Sequence, residues 1–153
     1  MDLTGSDGQR FRLKVAGYQF PDRPSAEYDS NWLNITIRVT QPQGRWTSTE
    51  PSLLTYEATA LADWLEAQAR GTPTEEEEES FVEPNLLFRI VEVAGRRRLQ
   101  VHLDAEYLPP WVESRVAGET PTCLEFSLEE VDLLQAARAL RGQLELFPQR
   151  AKC

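Results

Sequence analysis

Apolar and polar residues alternate along the first third of the chain, the pattern of strands that bury one face. Residues 11–15 place apolar side chains at odd positions, whereas residues 18–20, beyond Gly17, place them at even positions. Because a shift of one residue turns side chains to the opposite face, the glycine predicts a β-bulge. Residues 33–39 alternate again and predict a second strand, and the QPQG turn at 41–44 leads into a third, short strand.

Two later segments carry apolar residues at the spacing of an α-helix. The first helix is predicted over Leu54–Ala69, with Thr55 as a candidate N-terminal cap. The second is predicted over Leu128–Leu146. Ser127 and Glu130 have the S-x-x-E spacing of a capping box, which predicts where this second helix begins.

Between the helices lies a run of five glutamates at 75–79. Because adjacent like charges repel and favour solvent, the run predicts a mobile acidic linker at about 72–80. Beyond it, residues 85–93 and 98–107 are strand-like, and the AGRRR segment between them is typical of a hairpin connection. Residues 123–127 predict one more short strand.

The predicted order of elements is β-β-β-α-β-β-β-α within a single domain that spans residues 1–153. Consecutive strands with short connections favour antiparallel pairing. We therefore predict an α+β fold, with an antiparallel sheet of about six strands and two helices packed on it. A chain of this length can bury one substantial core.

The net charge of −9 argues against a nucleic-acid-binding role, which requires a basic face, but is compatible with a basic protein partner. Cys123 and Cys153 are too few for a disulfide framework and lack metal-ligand spacing. The N-terminal residues show no signal-peptide pattern, and no apolar stretch could span a bilayer. We therefore expect a cytoplasmic protein without a membrane partner.

Candidate catalytic chemistry is sparse in this sequence. His102 is the only histidine, and no serine or cysteine near it carries a nucleophile signature. No zinc, phosphate-loop or dinucleotide motif occurs. We predict no catalytic residue, no metal and no cofactor. The basic run Arg96–Arg98 is interpreted as a solvated hairpin tip.

Eight short segments stand out along the chain in this order: GYQFP (17–21), DSNWL (29–33), EPSLLTYE (50–57), LADWL (61–65), FVEPNLLFRI (81–90), PPW (109–111), LEF (124–126) and LFPQR (146–150). In their order and spacing they resemble the WapI family of bacterial immunity proteins. The resemblance runs from about Phe11 to Arg150.

This resemblance implies a non-enzymatic cytoplasmic protein that binds and neutralises a polymorphic toxin domain. The family name is tied to toxins that attack tRNA, but the resemblance does not specify the toxin of this chain. An acidic protein can block the basic cleft of a nuclease, so the net charge is compatible with such a partner.

The aromatic and acidic stretch GYQFPDRPSAEYDSNWL, at 17–33, has two interpretations: the lip of a binding site, or a loop held by its own aromatics. In the second interpretation, which we favour, Tyr18, Phe20 and Trp32 anchor the loop to the sheet. Asp29 or Asn31 then supplies a turn hydrogen bond.

Acids that border aromatic residues are the candidate contacts of a protein partner, because a charged rim around a packed anchor is typical of interfaces. These candidates are the acids Asp22, Glu27, Asp29, Glu106 and Glu113, together with Trp111 as the packed anchor. Two alternatives stay open. One is a ligand-binding or enzymatic groove near Trp32, His102 and Trp111, and the other is a general interaction domain.

Overall fold

The computed structural model describes residues 1–24, 26–71 and 77–151 of the 153-residue chain. In that part of the chain, the structure contains eight strands, two α-helices and two short 3-10 turns. The strands are β1 (Asp2–Thr4), β2 (Arg10–Tyr18), β3 (Trp32–Gln41), β4 (Gly44–Leu54), β5 (Glu78–Ser80), β6 (Leu86–Val93), β7 (Arg96–Leu103) and β8 (Thr122–Ser127). The helices are α1 (Thr55–Arg70) and α2 (Leu133–Leu144), and the 3-10 turns are Tyr28–Asn31 and Ala105–Tyr107.

The strands form two antiparallel sheets of four strands each. The first sheet has the order β1-β2-β3-β4 and the second has the order β5-β6-β7-β8. The α+β class and the antiparallel pairing are therefore confirmed, whereas the prediction of one sheet of about six strands is wrong in number. Strands β1 and β5 have three residues each, too few to produce a recognisable alternation.

One hydrophobic core joins both sheets and both helices. The apolar residues of the first sheet that the alternation predicted to face inward, such as Phe11 and Ile35, are fully buried. Phe11 of the first sheet and Phe88 of the second meet edge to face, with ring centroids 5.9 Å apart. Leu61 of α1 and Leu140 of α2 are buried in the same cluster.

The predicted bulge and hairpin turns are present. The register between β2 and β3 shifts between Val15 and Gly17, as the change of apolar parity indicated. Gln41 pairs with Gly44 at the tip of the β3–β4 hairpin. Ala94 and Gly95 form the tip between β6 and β7.

Helix α1 lies within one residue of its predicted bounds, but its cap differs. The Glu57 carboxylate accepts hydrogen bonds from the backbone N–H groups of Leu54, at 2.9 Å, and Val82, at 2.8 Å. Thr55, the predicted cap, instead donates its hydroxyl to the Asn31 side chain at 2.9 Å. Gly71 ends the helix in the left-handed conformation, with φ of 64°.

Helix α2 begins five residues later than predicted, because a different residue caps it. Asp132 is the N-cap, and its carboxylate accepts from the backbone N–H of Gln135 at 2.8 Å. Ser127 belongs to β8. The Glu130 carboxylate accepts from the backbone N–H and the hydroxyl of Ser6, at 3.1 and 2.7 Å, so it is not available for a capping box.

The predicted linker at 72–80 is described in part. Residues 72–76 lie outside the described residues. Glu78–Ser80 form β5 and pair with β6, so this end of the segment is a strand. The Glu78 carboxylate accepts a hydrogen bond from the guanidinium of Arg89, its neighbour in the register, which offsets the repulsion between adjacent glutamates.

Among the described residues, neither helix has the length and apolar composition needed to span a bilayer.

Candidate partner-binding surfaces

The loop that follows β2 is held by the C-terminal segment. The Tyr18 hydroxyl donates to the carbonyl of Pro148 at 2.6 Å, and the Tyr18 ring meets Phe147 edge to face at 5.5 Å. The guanidinium of Arg150 lies 3.6 Å from the centre of the Tyr18 ring. Its Nη1 also donates to the carbonyl of Phe20 at 3.1 Å. Tyr18, at the end of β2, therefore anchors this region to the C-terminal segment, whereas the sequence predicted that it would anchor the loop to the sheet.

The side chain of Arg23 lies between the aromatic and acidic members of the loop. Its guanidinium carbon is 4.3 Å from the centre of the Phe20 ring. Its nitrogens pair with Asp29 at 2.7 Å and Glu27 at 3.6 Å. Two of the three candidate acids in this loop are therefore partly neutralised within the chain, and Asp22 is exposed. We call residues 22–24 and 26–29 the acidic loop.

Asn31 ties the acidic loop to two distant elements. Its side chain is fully buried, and its Oδ1 accepts from the Thr55 hydroxyl and from the backbone N–H of Arg150, both at 2.9 Å. Its Nδ2 donates to the carbonyl of Ala151 at 3.0 Å. The hydrogen bonds expected from Asp29 or Asn31 within a turn are thus long-range bonds made by Asn31.

Trp111 stands over the tip of the β3–β4 hairpin. Its ring meets Trp46 edge to face at 5.3 Å and lies so close to Gly44 that an added Cβ there would be 2.9 Å from Cζ3. The Trp111 side chain is still 43% exposed. Glu106 and Glu113 on either side of it in sequence are exposed. We call residues 106–113 the Trp111 loop.

The Trp111 loop has a rigid base. Tyr107 is fully buried, and its hydroxyl donates to the carbonyl of Ile35 at 2.9 Å and bonds the hydroxyl of Ser52. Burial is the main cause that raises the pKa of Tyr107 far above its ordinary value, so the phenol stays neutral. The Trp46 indole donates to the carbonyl of Tyr107 at 2.9 Å. This loop is therefore fixed to both β3 and β4.

The six candidate contact residues lie on two separate surfaces. The acidic loop precedes Trp32 at the start of β3, whereas Trp111 lies beside Gly44, past the end of that strand. Ten extended residues span about 30 Å. The suggested groove of Trp32, His102 and Trp111 is therefore not formed, because the two tryptophans lie at opposite ends of β3. Trp32 instead lines a separate depression of about 270 Å³ beside Asp29.

His102 pairs in register with Cys123 on the outer face of the second sheet. Its Nε2 lies 3.8 Å from the cysteine sulfur and 3.1 Å from Oε1 of Gln100. Burial is the main cause that lowers the pKa of His102 and raises the pKa of the Cys123 thiol. Both shifts favour the neutral forms, which is the opposite of what a thiolate–imidazolium pair requires.

The sequence analysis did not bring His102 and Cys123 together. Each residue alternates with buried residues of its own strand-like segment, and the two become neighbours only when those strands pair. Among the described residues, no group of three or more histidines, cysteines and acids is placed to hold a metal ion.

The tip residues Arg96 and Arg97 are exposed, as expected, while Arg98 pairs with Glu125 at 2.6 Å.

A third surface, which the sequence analysis missed, is the outer face of the first sheet. Its cationic side chains are Arg10, Arg12, Lys14, Arg38 and Arg45. In the sequence, these basic residues occupy the polar positions of segments in which apolar and polar residues alternate. The strand order was needed to show that these residues share one face.

The family model of the immunity protein WapI-like family matches residues 2–148 of the chain. Among curated proteins, none matches the chain.

Proposed function

The chain belongs to the WapI-like immunity protein family, and we propose that it is a non-enzymatic protein that binds and neutralises a polymorphic toxin domain. The family match over nearly the whole chain is the observation that carries this proposal. We place this function in the cytoplasm, with a protein toxin domain as the partner. The proposal includes no cofactor, metal, nucleic-acid or membrane partner.

The Trp111 loop is the surface that best supports partner binding. An aromatic ring that is partly exposed, packed on a rigid base and bordered by two exposed acids has the composition of an interface anchor with a charged rim. Because Trp46 and Gly44 already position the ring, little conformational freedom is lost on binding. We propose Trp111 as the anchor, with Glu106 and Glu113 as its rim.

The acidic loop is proposed to act mainly in steering. Asp22, Glu27 and Asp29 are all exposed, and long-range attraction depends on net local charge. Arg23 offsets part of the charge of Glu27 and Asp29, so Asp22 is the acid expected to contribute most. A basic nuclease toxin would be attracted by such a surface.

Protection of cells tests the proposed function directly. The toxin domain encoded next to this chain is expressed in a sensitive host with and without the protein, and growth is measured. Co-expression should restore growth. Titration of the purified toxin activity should end at a one-to-one ratio, because a stoichiometric binder cannot inactivate an excess of toxin. Absence of both protection and binding would overturn the immunity proposal, and inactivation of excess toxin would show an enzyme.

Binding kinetics test the proposed contacts. Asp22→Lys and Glu113→Lys should slow association with the toxin by about tenfold at low salt, while Trp111→Ala should mainly speed dissociation. Glu129→Lys is the matched control, because it reverses an exposed acid that follows β8 at the end of the second sheet opposite to the Trp111 loop. If all three charge reversals change the association rate equally, net charge alone is responsible and the contact assignment is wrong.

A further inference from the structure

The outer face of the first sheet is strongly cationic in an acidic protein. Arg10, Arg12 and Lys14 of β2, Arg38 of β3 and Arg45 of β4 are exposed, while their neighbours in sequence, such as Phe11 and Val39, are buried. Asp2 is the one acid that β1–β4 place on this face. We call these five cationic residues the arginine face.

Cross-strand pairing brings like charges together on this face. Arg12 lies directly opposite Arg38, and Thr40 lies between Arg10 and Arg45 in the next row. Like charges opposite each other destabilise a sheet. Within the described residues, neither Arg38 nor Arg45 forms an ion pair. The sheet thus retains a repulsive arrangement that a bound anion would relieve.

The second sheet shows that unmatched cations are not a general property of this protein. On its outer face, Arg89 pairs with Glu78 and Arg98 pairs with Glu125. Each of these arginines therefore has an acid on a neighbouring strand. Within the described residues, Arg96 of β7 is the one arginine of this face without an ion pair, whereas the first sheet places five cations and one acid on its outer face.

The arginines of the first sheet surround a small depression. Its volume is about 190 Å³, and its lining consists of Arg10, Arg12, Arg38, Thr40 and Arg45. Four guanidinium groups and a hydroxyl around one space provide donors for a carboxylate or phosphate group. No aromatic side chain lines this depression. Trp46 lines an adjoining one with Arg38 and Arg45, but its side chain is buried, so bases of a nucleic acid would have little stacking surface there.

The same face already binds one carboxylate of its own chain. Asp2 accepts from Nε of Arg10 at 3.0 Å and from Nη2 of Arg12 at 2.7 Å. The hydrogen bond from Arg10 is the largest cause that lowers the pKa of Asp2 to about 2. Carboxylate binding by paired arginines is therefore a property that this face displays.

We propose that the arginine face binds an acidic segment of a protein partner, with a carboxylate of that segment in the depression beside Arg38 and Arg45. A protein segment suits this face better than a nucleic acid does. The acidic excess of the chain lies outside the arginine face, so a long polyanion would extend onto repulsive surface. The proposal concerns a second surface and does not depend on the toxin-binding function.

Fluorescence anisotropy with a labelled octaglutamate peptide tests this proposal. Wild-type protein should bind it, and the double variant Arg38→Gln/Arg45→Gln should bind at least about tenfold more weakly. The matched control is Arg96→Gln/Arg138→Gln, which removes two charges from exposed arginines elsewhere and should change the affinity less than about twofold. An octaglutamine peptide should not bind. Thermal melts establish that both variants are folded.

Three results would overturn the proposal. The first is no binding of octaglutamate at low salt, and the second is an equal loss in both double variants, which would show an effect of net charge alone. The third is tighter binding of a twelve-nucleotide single-stranded RNA that the Arg38→Gln/Arg45→Gln variant loses, which would assign the face to nucleic acid. Because neither toxin nor living cells are used, the outcome is independent of the immunity proposal.

Discussion

At the scale of single residues, Gly44 and Trp111 form a close contact, and any side chain at position 44 would displace the Trp111 ring. The glycine has a φ of 154° and lies directly under the indole ring. A side chain at this position therefore meets both an unfavourable backbone conformation and a bulky neighbour. The position of the Trp111 ring, which is the proposed anchor, depends on this close approach.

Gly44→Ala should displace the Trp111 ring and lower the free energy of unfolding by about 1–3 kcal/mol. The change is measured by urea denaturation together with tryptophan emission of the folded protein, which should shift. Gly142→Ala is the control, because an added Cβ in α2 meets no atom within 4 Å. That variant should keep the emission spectrum and be as stable as wild type or more so. An unaltered spectrum in Gly44→Ala would contradict the contact.

The lowered pKa of His102 predicts a pH dependence of stability. Burial is its main cause, so the folded protein binds the proton less readily than the unfolded chain, whose histidine has an ordinary pKa of 6.5. Stability should therefore fall as the pH decreases through 6.5 toward the lowered value. We expect His102→Gln to reduce this loss between pH 7 and pH 5.5, and to change stability by less than about 1 kcal/mol at pH 7.

Urea midpoints of wild type and variant at several pH values measure this dependence. The Met1 amino group also has a pKa lowered by burial and contributes in the same direction, but it is present in both proteins. The difference between the two curves therefore reports on His102, the only histidine. Parallel curves would show that His102 has no shifted pKa.

At the scale of elements, the two helices differ in how far their own sequences define their ends. The apolar spacing of α1 and its Gly71 stop are local, and its bounds were predicted within one residue. The start of α2 was predicted too early because Glu130, the residue needed for the capping box, bonds Ser6 instead. A local capping signal was thus overridden by a contact with the β1–β2 connection.

Removal of the two candidate caps distinguishes the predicted start of α2 from the observed one. Asp132→Ala should lower the free energy of unfolding by about 0.5–2 kcal/mol, because the N–H of Gln135 loses its acceptor. Ser127→Ala should cost less than Asp132→Ala, since Ser127 caps no helix and its hydroxyl accepts only an exposed hydrogen bond, from the N–H of Glu129 at 3.3 Å. Denaturant melts of both variants provide the comparison. A larger loss for Ser127→Ala would favour the earlier start.

At the scale of the whole molecule, the C-terminal segment links distant parts of the chain. Arg150 packs on Tyr18 and bonds Phe20, while Asn31 bonds the backbone of Arg150 and Ala151. These contacts close the loop after β2 against the start of α1. The geometry of the acidic loop therefore depends on residues more than 100 positions away.

Asn31→Ala should lower the free energy of unfolding by about 1–3 kcal/mol, because it leaves the buried hydroxyl of Thr55 without its acceptor. The backbone N–H of Arg150 loses its acceptor too, so its amide should exchange faster. Hydrogen exchange and denaturation measure the two effects. Asn34→Ala, a half-buried asparagine of β3, is the control and should leave Arg150 unchanged. Unaltered exchange at Arg150 in the Asn31 variant would contradict the link.

Local sequence patterns were sufficient to predict several elements. The alternation over 33–39 predicted β3, and the change of parity at Gly17 predicted the bulge. The spacing of Leu61 and its apolar neighbours predicted α1. The α+β class followed from the order of these elements. These features could be predicted because burial of one face of a strand or helix imposes a periodicity on adjacent residues.

Which residues share a surface depends on contacts between distant parts of the chain. The three-residue strands β1 and β5 exist because longer neighbours pair with them, and they complete two sheets of four strands. The arginine face combines side chains from β2, β3 and β4, and the Trp111 loop rests on a hairpin tip more than 60 residues earlier in the chain. The alternation within a strand indicates only which face of that strand a residue lies on. Strand order, register and loop docking depend on contacts between distant residues, and those contacts leave no local pattern in the sequence.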